Sequence, residues 1–94
     1  METFKLQNGY SNRIDKRTFR RMTIEEGKRL YKGQRVCFDH GGLYRRAKVN
    51  GAVKTWKKDT KRVEVPLKYG LYDCFIACNR EDGTMEYLLV EVTE

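Results

Sequence analysis

From Gln34 onward, apolar and polar residues alternate in short runs separated by turn residues, the period of half-buried β-strands. Arg35–Asp39 and Leu43–Val49 alternate on either side of His40-Gly41-Gly42. Asn50-Gly51 divides the second run from Ala52–Lys58, and Asp59-Thr60 divides that run from Arg62–Leu67, where Val63, Val65 and Leu67 share one face. Lys68-Tyr69-Gly70 turns the chain into Leu71–Cys78, and Glu81-Asp82-Gly83 leads to a last run near Thr84–Val92. Pro66 cannot donate a ladder hydrogen bond, which restricts its strand to an edge or an end. Strands at intervals of about ten residues predict a mainly β fold, a small five- or six-stranded barrel.

One short helix is predicted before the strands, over residues 23–32. Thr23 and Glu26 have capping-box spacing. Glu25 and Glu26 suit the positive end of a helix, and Lys28, Arg29 and Lys32 the negative end. Gly33 is placed to close it in a left-handed conformation, while Gly27 inside it costs about 1 kcal/mol. Residues 1–22 read as a basic arm with turn signals at Asn8-Gly9 and Ser11-Asn12, pinned in part by Phe4, Leu6, Tyr10, Ile14 and Phe19, or mobile. An edge strand at residues 4–6 is one way to pin it. The chain thus divides into the arm, 1–22, and a single barrel domain with its helix, 23–94.

The register of residues 43–58 decides what they display. A two-residue Asn50-Gly51 turn mixes apolar and charged side chains on both faces of a hairpin. A three-residue loop with Gly51 as a left-handed bulge residue pairs Lys48 with Ala52 and sorts them. Leu43, Ala47, Val49, Val53 and Thr55 then share one face, and Tyr44, Arg46, Lys48, Lys54, Trp56 and Lys58 the other. Arg45 alone falls on the apolar side.

Charge adds a partner to this picture. Twenty Lys and Arg against thirteen Asp and Glu give a net +7 in 94 residues. Residues 1–72 carry +12 and residues 73–94 carry −5, so most of the chain should attract polyanions. The expected ligand is nucleic acid, bound with low sequence specificity. Arg45, Arg46, Lys48, Lys54, Lys57, Lys58, Lys61 and Arg62 would contact phosphates, and Tyr44 and Trp56 would stack on bases. The alternative is a protein-interaction adaptor that holds a peptide or an acidic partner in a groove of Tyr44, Trp56, Tyr69 and Tyr72. The acidic C-terminal stretch would either fold against the basic surface or face away. No run of eighteen apolar residues is present and the N-terminus has no apolar leader core, so neither a membrane partner nor secretion is expected. Three cysteines, an odd number, also speak against a disulfide framework, and an intracellular, cytoplasmic location follows.

Residues 32–38, Lys-Gly-Gln-Arg-Val-Cys-Phe, followed by Gly41-Gly42-Leu43-Tyr44-Arg45-Arg46-Ala47-Lys48-Val49, resemble the opening of KOW-type, Src-homology-three-like small barrels. Through residue 78 the similarity continues as a strand count. The resemblance implies a five-stranded, strongly bent barrel whose relatives bind RNA, ribosomes or other proteins. Arg46-Ala47 stand where that family usually has a small glycine. A helix followed by five strands is also similar to Sm-like barrels, without their paired motifs.

Two kinds of chemistry fit the spacing poorly. Cys37, His40, Cys74 and Cys78 offer a zinc-type ligand set, but residues four apart on a straight strand are about 13 Å from each other. Cys37, Asp39 and His40 contain the groups of a hydrolytic triad, yet adjacent strand residues point to opposite faces. No metal, cofactor or catalytic residue is expected, and His40 reads as a turn residue.

Overall fold

The computed structural model describes residues 2–11 and 13–93. Over these described residues it is mainly β, with one short helix and nine strands in one mostly antiparallel sheet. Three strands precede or abut the helix: β1 (Thr3–Phe4), β2 (Gln7–Asn8) and β3 (Phe19–Thr23). After α1 (Ile24–Lys28) come β4 (Arg35–His40), β5 (Leu43–Val49), β6 (Lys54–Thr55), β7 (Val63–Tyr69), β8 (Asp73–Cys78) and β9 (Thr84–Glu91). Hydrogen-bonded neighbours run β1-β3-β9-β4-β5-β7-β6, while β8 pairs with β7 and β2 lies parallel to β5.

The helix starts as its sequence predicts and stops early. Thr23 Oγ1 accepts from Glu26 N at 3.2 Å, and Glu26 Oε1 accepts from Thr23 N at 3.0 Å. Arg20 reaches both Glu26 oxygens, at 2.6 and 2.8 Å. Beyond Lys28 the chain tightens into three-residue hydrogen bonds, Arg29 N to Glu26 O and Leu30 N to Gly27 O, so that Leu30 turns into the core. Gly27 packs against Met85 there: an added Cβ would lie 2.9 Å from Met85 Cγ, so the buried Met85 side chain would have to shift.

Alternation places the main core as expected. Val36 and Phe38 of β4, Ala47 and Val49 of β5, Val63, Val65 and Leu67 of β7 and Ala77 of β8 pack together with Met85 and Leu88 of β9. Met22, Ile24 and Leu30 close the cluster. A second cluster, Leu6, Phe19, Tyr44 and Leu89, occupies the opposite face of the sheet. Leu88 pairs with Phe38 and Leu89 with Cys37, so adjacent buried residues serve the two cores. The basic arm supplies that second layer. Its strand β3 lies between β1 and β9, hidden in the sequence because a register shift between Arg21 and Thr23 breaks the alternation.

The arm is held by a buried carboxylate. Asp15 accepts from Arg17 Nη2 at 2.7 Å, Arg17 Nε at 2.9 Å, Arg17 N at 2.9 Å and Asn8 Nδ2 at 3.1 Å. The Arg17 side chain first, and then its backbone N–H and Asn8, hold the Asp15 carboxyl well below the usual carboxylate range against the cost of burial. Gly9 brings β2 against β5, its N donating to Tyr44 O at 2.9 Å. A Cβ at Gly9 would stand 2.6 Å from that same oxygen and collide with the Arg45 side chain.

The hairpin expected over residues 43–58 does not form. β5 pairs with β4 through a Gly41-Gly42 turn and, at Lys48 and Val49, with β7. Leu67 pairs with Val49 and Phe75, and Glu64 with Lys54 and Cys78. Since β8 takes one edge of β7, β5 and β6 lie end to end along the other. Pro66 explains the interruption between them. Asn50 N donates to Pro66 O at 2.8 Å, but proline has no N–H to return the bond. The run breaks over residues 50–53 and resumes at Lys54 with the register displaced. Pro66 is therefore in a strand paired on both sides, tolerated at an irregularity rather than at an edge or end.

The ladder does not close. Past an isolated bridge between Asn79 and Met85, β8 and β9 are unpaired among the described residues. No helix among those residues is long and apolar enough to cross a membrane.

Candidate functional site

Antiparallel pairing opposes residues on the same face, so the register of β4, β5 and β7 determines which cations meet. Arg35 is directly opposite Lys48, and Lys48 directly opposite Lys68. Opposed side chains start from Cβ atoms about 5 Å apart, a spacing at which like charges repel. Arg46 shares this face two residues before Lys48, and the four cations line a cleft of about 400 Å³ with Ala47 and Gly70. All four are exposed. Among the described residues Arg35, Lys48 and Lys68 have no ion pair or side-chain hydrogen bond. Arg46 is positioned by its Nε, 3.3 Å from Tyr44 Oη. Among the described residues, the acidic C-terminal stretch forms no ion pair with this row.

A second basic group sits on the loop between β6 and β7. Lys57, Lys58, Lys61 and Arg62 are exposed around a turn in which Asp59 Oδ1 accepts from Lys61 N and Asp59 O from Arg62 N. Lys28 Nζ donates to Thr60 O at 2.6 Å and ties this loop to α1. Lys54 is exposed opposite Glu64. Arg62 lies 3.9 Å over the Trp56 ring, and its Nη2 is 3.5 Å from Glu64 Oε2. Trp56 is half-buried, with one ring face covered by a cation rather than open to a base.

Tyr44 and Arg45 depart from the sequence expectation. Tyr44 does lie on the face of Arg46 and Lys48, but the arm covers it to 2% exposure. Its ring stacks on Phe19 at 5.3 Å, with the Arg17 guanidinium 4.1 Å from its centroid. Its hydroxyl accepts from Arg17 Nη1 and Arg46 Nε and meets Cys37 Sγ, each at 3.3 Å. Tyr44 therefore cannot stack on a base. Arg45 points to the other face, 4.9 Å from the Tyr10 ring and 5.7 Å from the Tyr69 ring, away from the row. Nor does the expected tyrosine groove assemble: Tyr44 is buried, Trp56 lies under Arg62, Tyr72 is 90% exposed and Tyr69 sits at a separate cavity.

Arg35 and Lys68 were missed by sequence reasoning. Alternation puts each on the outward face of its own strand, but only the pairing of β5 with β4 and β7 makes them flank Lys48. Among the described residues, no three His, Cys, Asp or Glu side chains converge as metal ligands. Cys37 faces Tyr44, Cys74 is exposed beside Asn50, and His40 packs edge-on to Phe38 at 5.8 Å.

No known protein family, curated protein or solved structure matches this chain.

Proposed function

We propose that this chain is a non-enzymatic binding domain for nucleic acid, holding the phosphate backbone on the outward face of β4, β5 and β7. The observation that carries this reading is the Arg35–Lys48–Lys68 row. Three cations in direct cross-strand register work against the fold unless something anionic relieves them. Arg46 extends the row, and Lys54, Lys57, Lys58, Lys61 and Arg62 provide further positive charge along the β6–β7 loop. No base-reading constellation accompanies them, so contact with phosphates without strong sequence preference fits best. Trp56 stacks on a base only if Arg62 is displaced, or else a base stacks on the Arg62–Trp56 pair.

The strand order β9-β4-β5-β7-β8, with the Asn79–Met85 bridge returning β8 to β9, supports reading the sheet as a small five-stranded barrel with one open seam. That reading agrees with the KOW-type resemblance of residues 32–49.

Fluorescence anisotropy with labelled single- and double-stranded DNA and RNA, across a salt series, tests the proposal. The expected result is a log affinity falling with log salt by a slope of about −3 or steeper, as several phosphate contacts require. Absence of binding at low salt would overturn it, because electrostatic attraction is then at its strongest.

A further inference from the structure

Where β8 and β9 part, the sheet leaves a cavity of about 400 Å³ lined by Phe38, His40, Tyr69, Phe75 and Tyr87, with Asp39 and Asp73 among its polar residues. Phe38 is its buried floor, 5.4 Å from Tyr69 and 5.5 Å from Phe75 between ring centroids. Tyr87 meets Phe75 edge-on at 5.8 Å, with ring planes 87° apart. Rings at such angles surround one volume from several sides, and it is their electron-rich faces that attract a cation in an aromatic box.

The charge of the cavity is opposite to that of the molecule. In a chain of net +7, its lining contains two aspartates and no lysine or arginine; the Asp39 carboxylate is turned to Gly42 N, at 2.7 Å, and Asp73 is the one on the face of Tyr69. Arg45 is the nearby cation, and it lies 5.7 Å from the Tyr69 centroid without lining the cavity.

Backbone strain is concentrated at the same wall. Tyr87 has φ 62°, making it the one non-glycine residue of positive φ among those described. Such a conformation costs about 1–2 kcal/mol for a residue with a Cβ. It aligns Tyr87 with the cavity while Met85 and Leu88 both remain buried in the main core. Strain at a ligand clamp persists when the surrounding structure enforces it.

We propose that this cavity binds an organic cation whose charge is spread over methyl groups, a quaternary ammonium such as a trimethylated lysine side chain or a choline headgroup. The rings would contact the methyl groups, and Asp73, directly opposite Tyr69, would supply the opposing charge. A bare ammonium would lose its water without enough acceptors to replace it, and an anion would meet the Asp73 carboxylate. The site is separate from the basic row and does not depend on its function.

The test is a ¹H–¹⁵N NMR titration of the full chain with three probes: choline, Nα-acetyl-trimethyllysine amide, and 3,3-dimethylbutan-1-ol as the uncharged counterpart of choline. Saturable shifts are expected at Phe75 and Tyr87 with the cations, at least about tenfold tighter than with the alcohol, which corresponds to about 1.4 kcal/mol. The tighter of the two cations identifies the source of the group. Tyr87→Gly removes the ring while suiting the backbone angle, so it should fold and bind at least about tenfold more weakly. Asp73→Asn, at an exposed position, should weaken the cations about threefold and leave the alcohol unchanged. Equal binding of choline and the alcohol, unchanged binding by Tyr87→Gly, or no saturable shift with either cation to about 50 mM would overturn the proposal.

Discussion

Lys48 stands between two other cations, so replacing it by glutamine removes two repulsions at once. With charges about 7 Å apart, each repulsion amounts to about 0.6 kcal/mol in unscreened water. A Debye length of about 8 Å at physiological salt reduces it to about 0.25 kcal/mol, and one of about 30 Å at 0.01 M leaves about 0.5 kcal/mol. Lys48→Gln should therefore stabilise the fold by about 0.5 kcal/mol at physiological salt, a rise in Tm of about 2–4 °C for a domain of this size. At 0.01 M the gain should double to about 1 kcal/mol. Nucleic-acid binding should move the other way. Losing one phosphate contact lowers the salt slope by about 0.7–0.9 and the affinity about five- to eightfold at 0.1 M salt. Thermal melts at the two salt concentrations, paired with anisotropy titrations, read both effects. A destabilised variant would show that the Lys48 stem is held by packing. An unchanged salt slope would remove the row from the binding surface.

Three further outcomes follow from the packing. Gly9→Ala should destabilise by about 1–3 kcal/mol, because the new methyl meets Tyr44 O, a backbone atom, at 2.6 Å; chemical denaturation measures the loss, and hydrogen exchange should find Gln7–Tyr10 opened first. Gly27→Ala should also destabilise, despite a helix-propensity gain of about 1 kcal/mol, because its Cβ meets Met85 Cγ at 2.9 Å; a Met85→Ala background should restore the propensity gain. Acid should loosen the arm and the helix start. Glu26 is lowered from 4.5 to about 2, first by its hydrogen bonds to Arg20, and Asp15 is lowered by Arg17. Both depressed carboxyls stabilise the fold above their unfolded values and lose that contribution as pH falls, for Glu26 from about 4.5 down to about 2. Glu26→Gln should flatten that part of a stability-versus-pH curve measured by denaturant titration, and a curve as steep as the parent's would contradict the assignment.

The alternation of residues 35–92 was enough to specify a mainly β chain, its turns at Gly41-Gly42, Asp59-Thr60, Gly70 and Gly83, and most of its core. The capping box at Thr23 and Glu26 was legible too, since both partners lie within one turn of chain. Faces were correct along β5: Ala47 and Val49 point inward, Arg46 and Lys48 outward. Even Arg45, the residue out of pattern, lies on the predicted side.

Partners were decided elsewhere. A period of two assigns each residue to a face but says nothing about which strand lies beside it. Asn50-Gly51 carried a local hairpin signal, and the missing N–H of Pro66, sixteen residues downstream, coincides with an interruption there instead. Tyr44 had an outward position and became core because Leu6, Phe19 and Leu89 converge on it from remote parts of the chain. The composition of the chain established that it is basic. Only the pairing of β5 with β4 and β7 lined up Arg35, Lys48 and Lys68, and only the parting of β8 from β9 opened the aromatic cavity, because register and closure are properties of segments that meet in space.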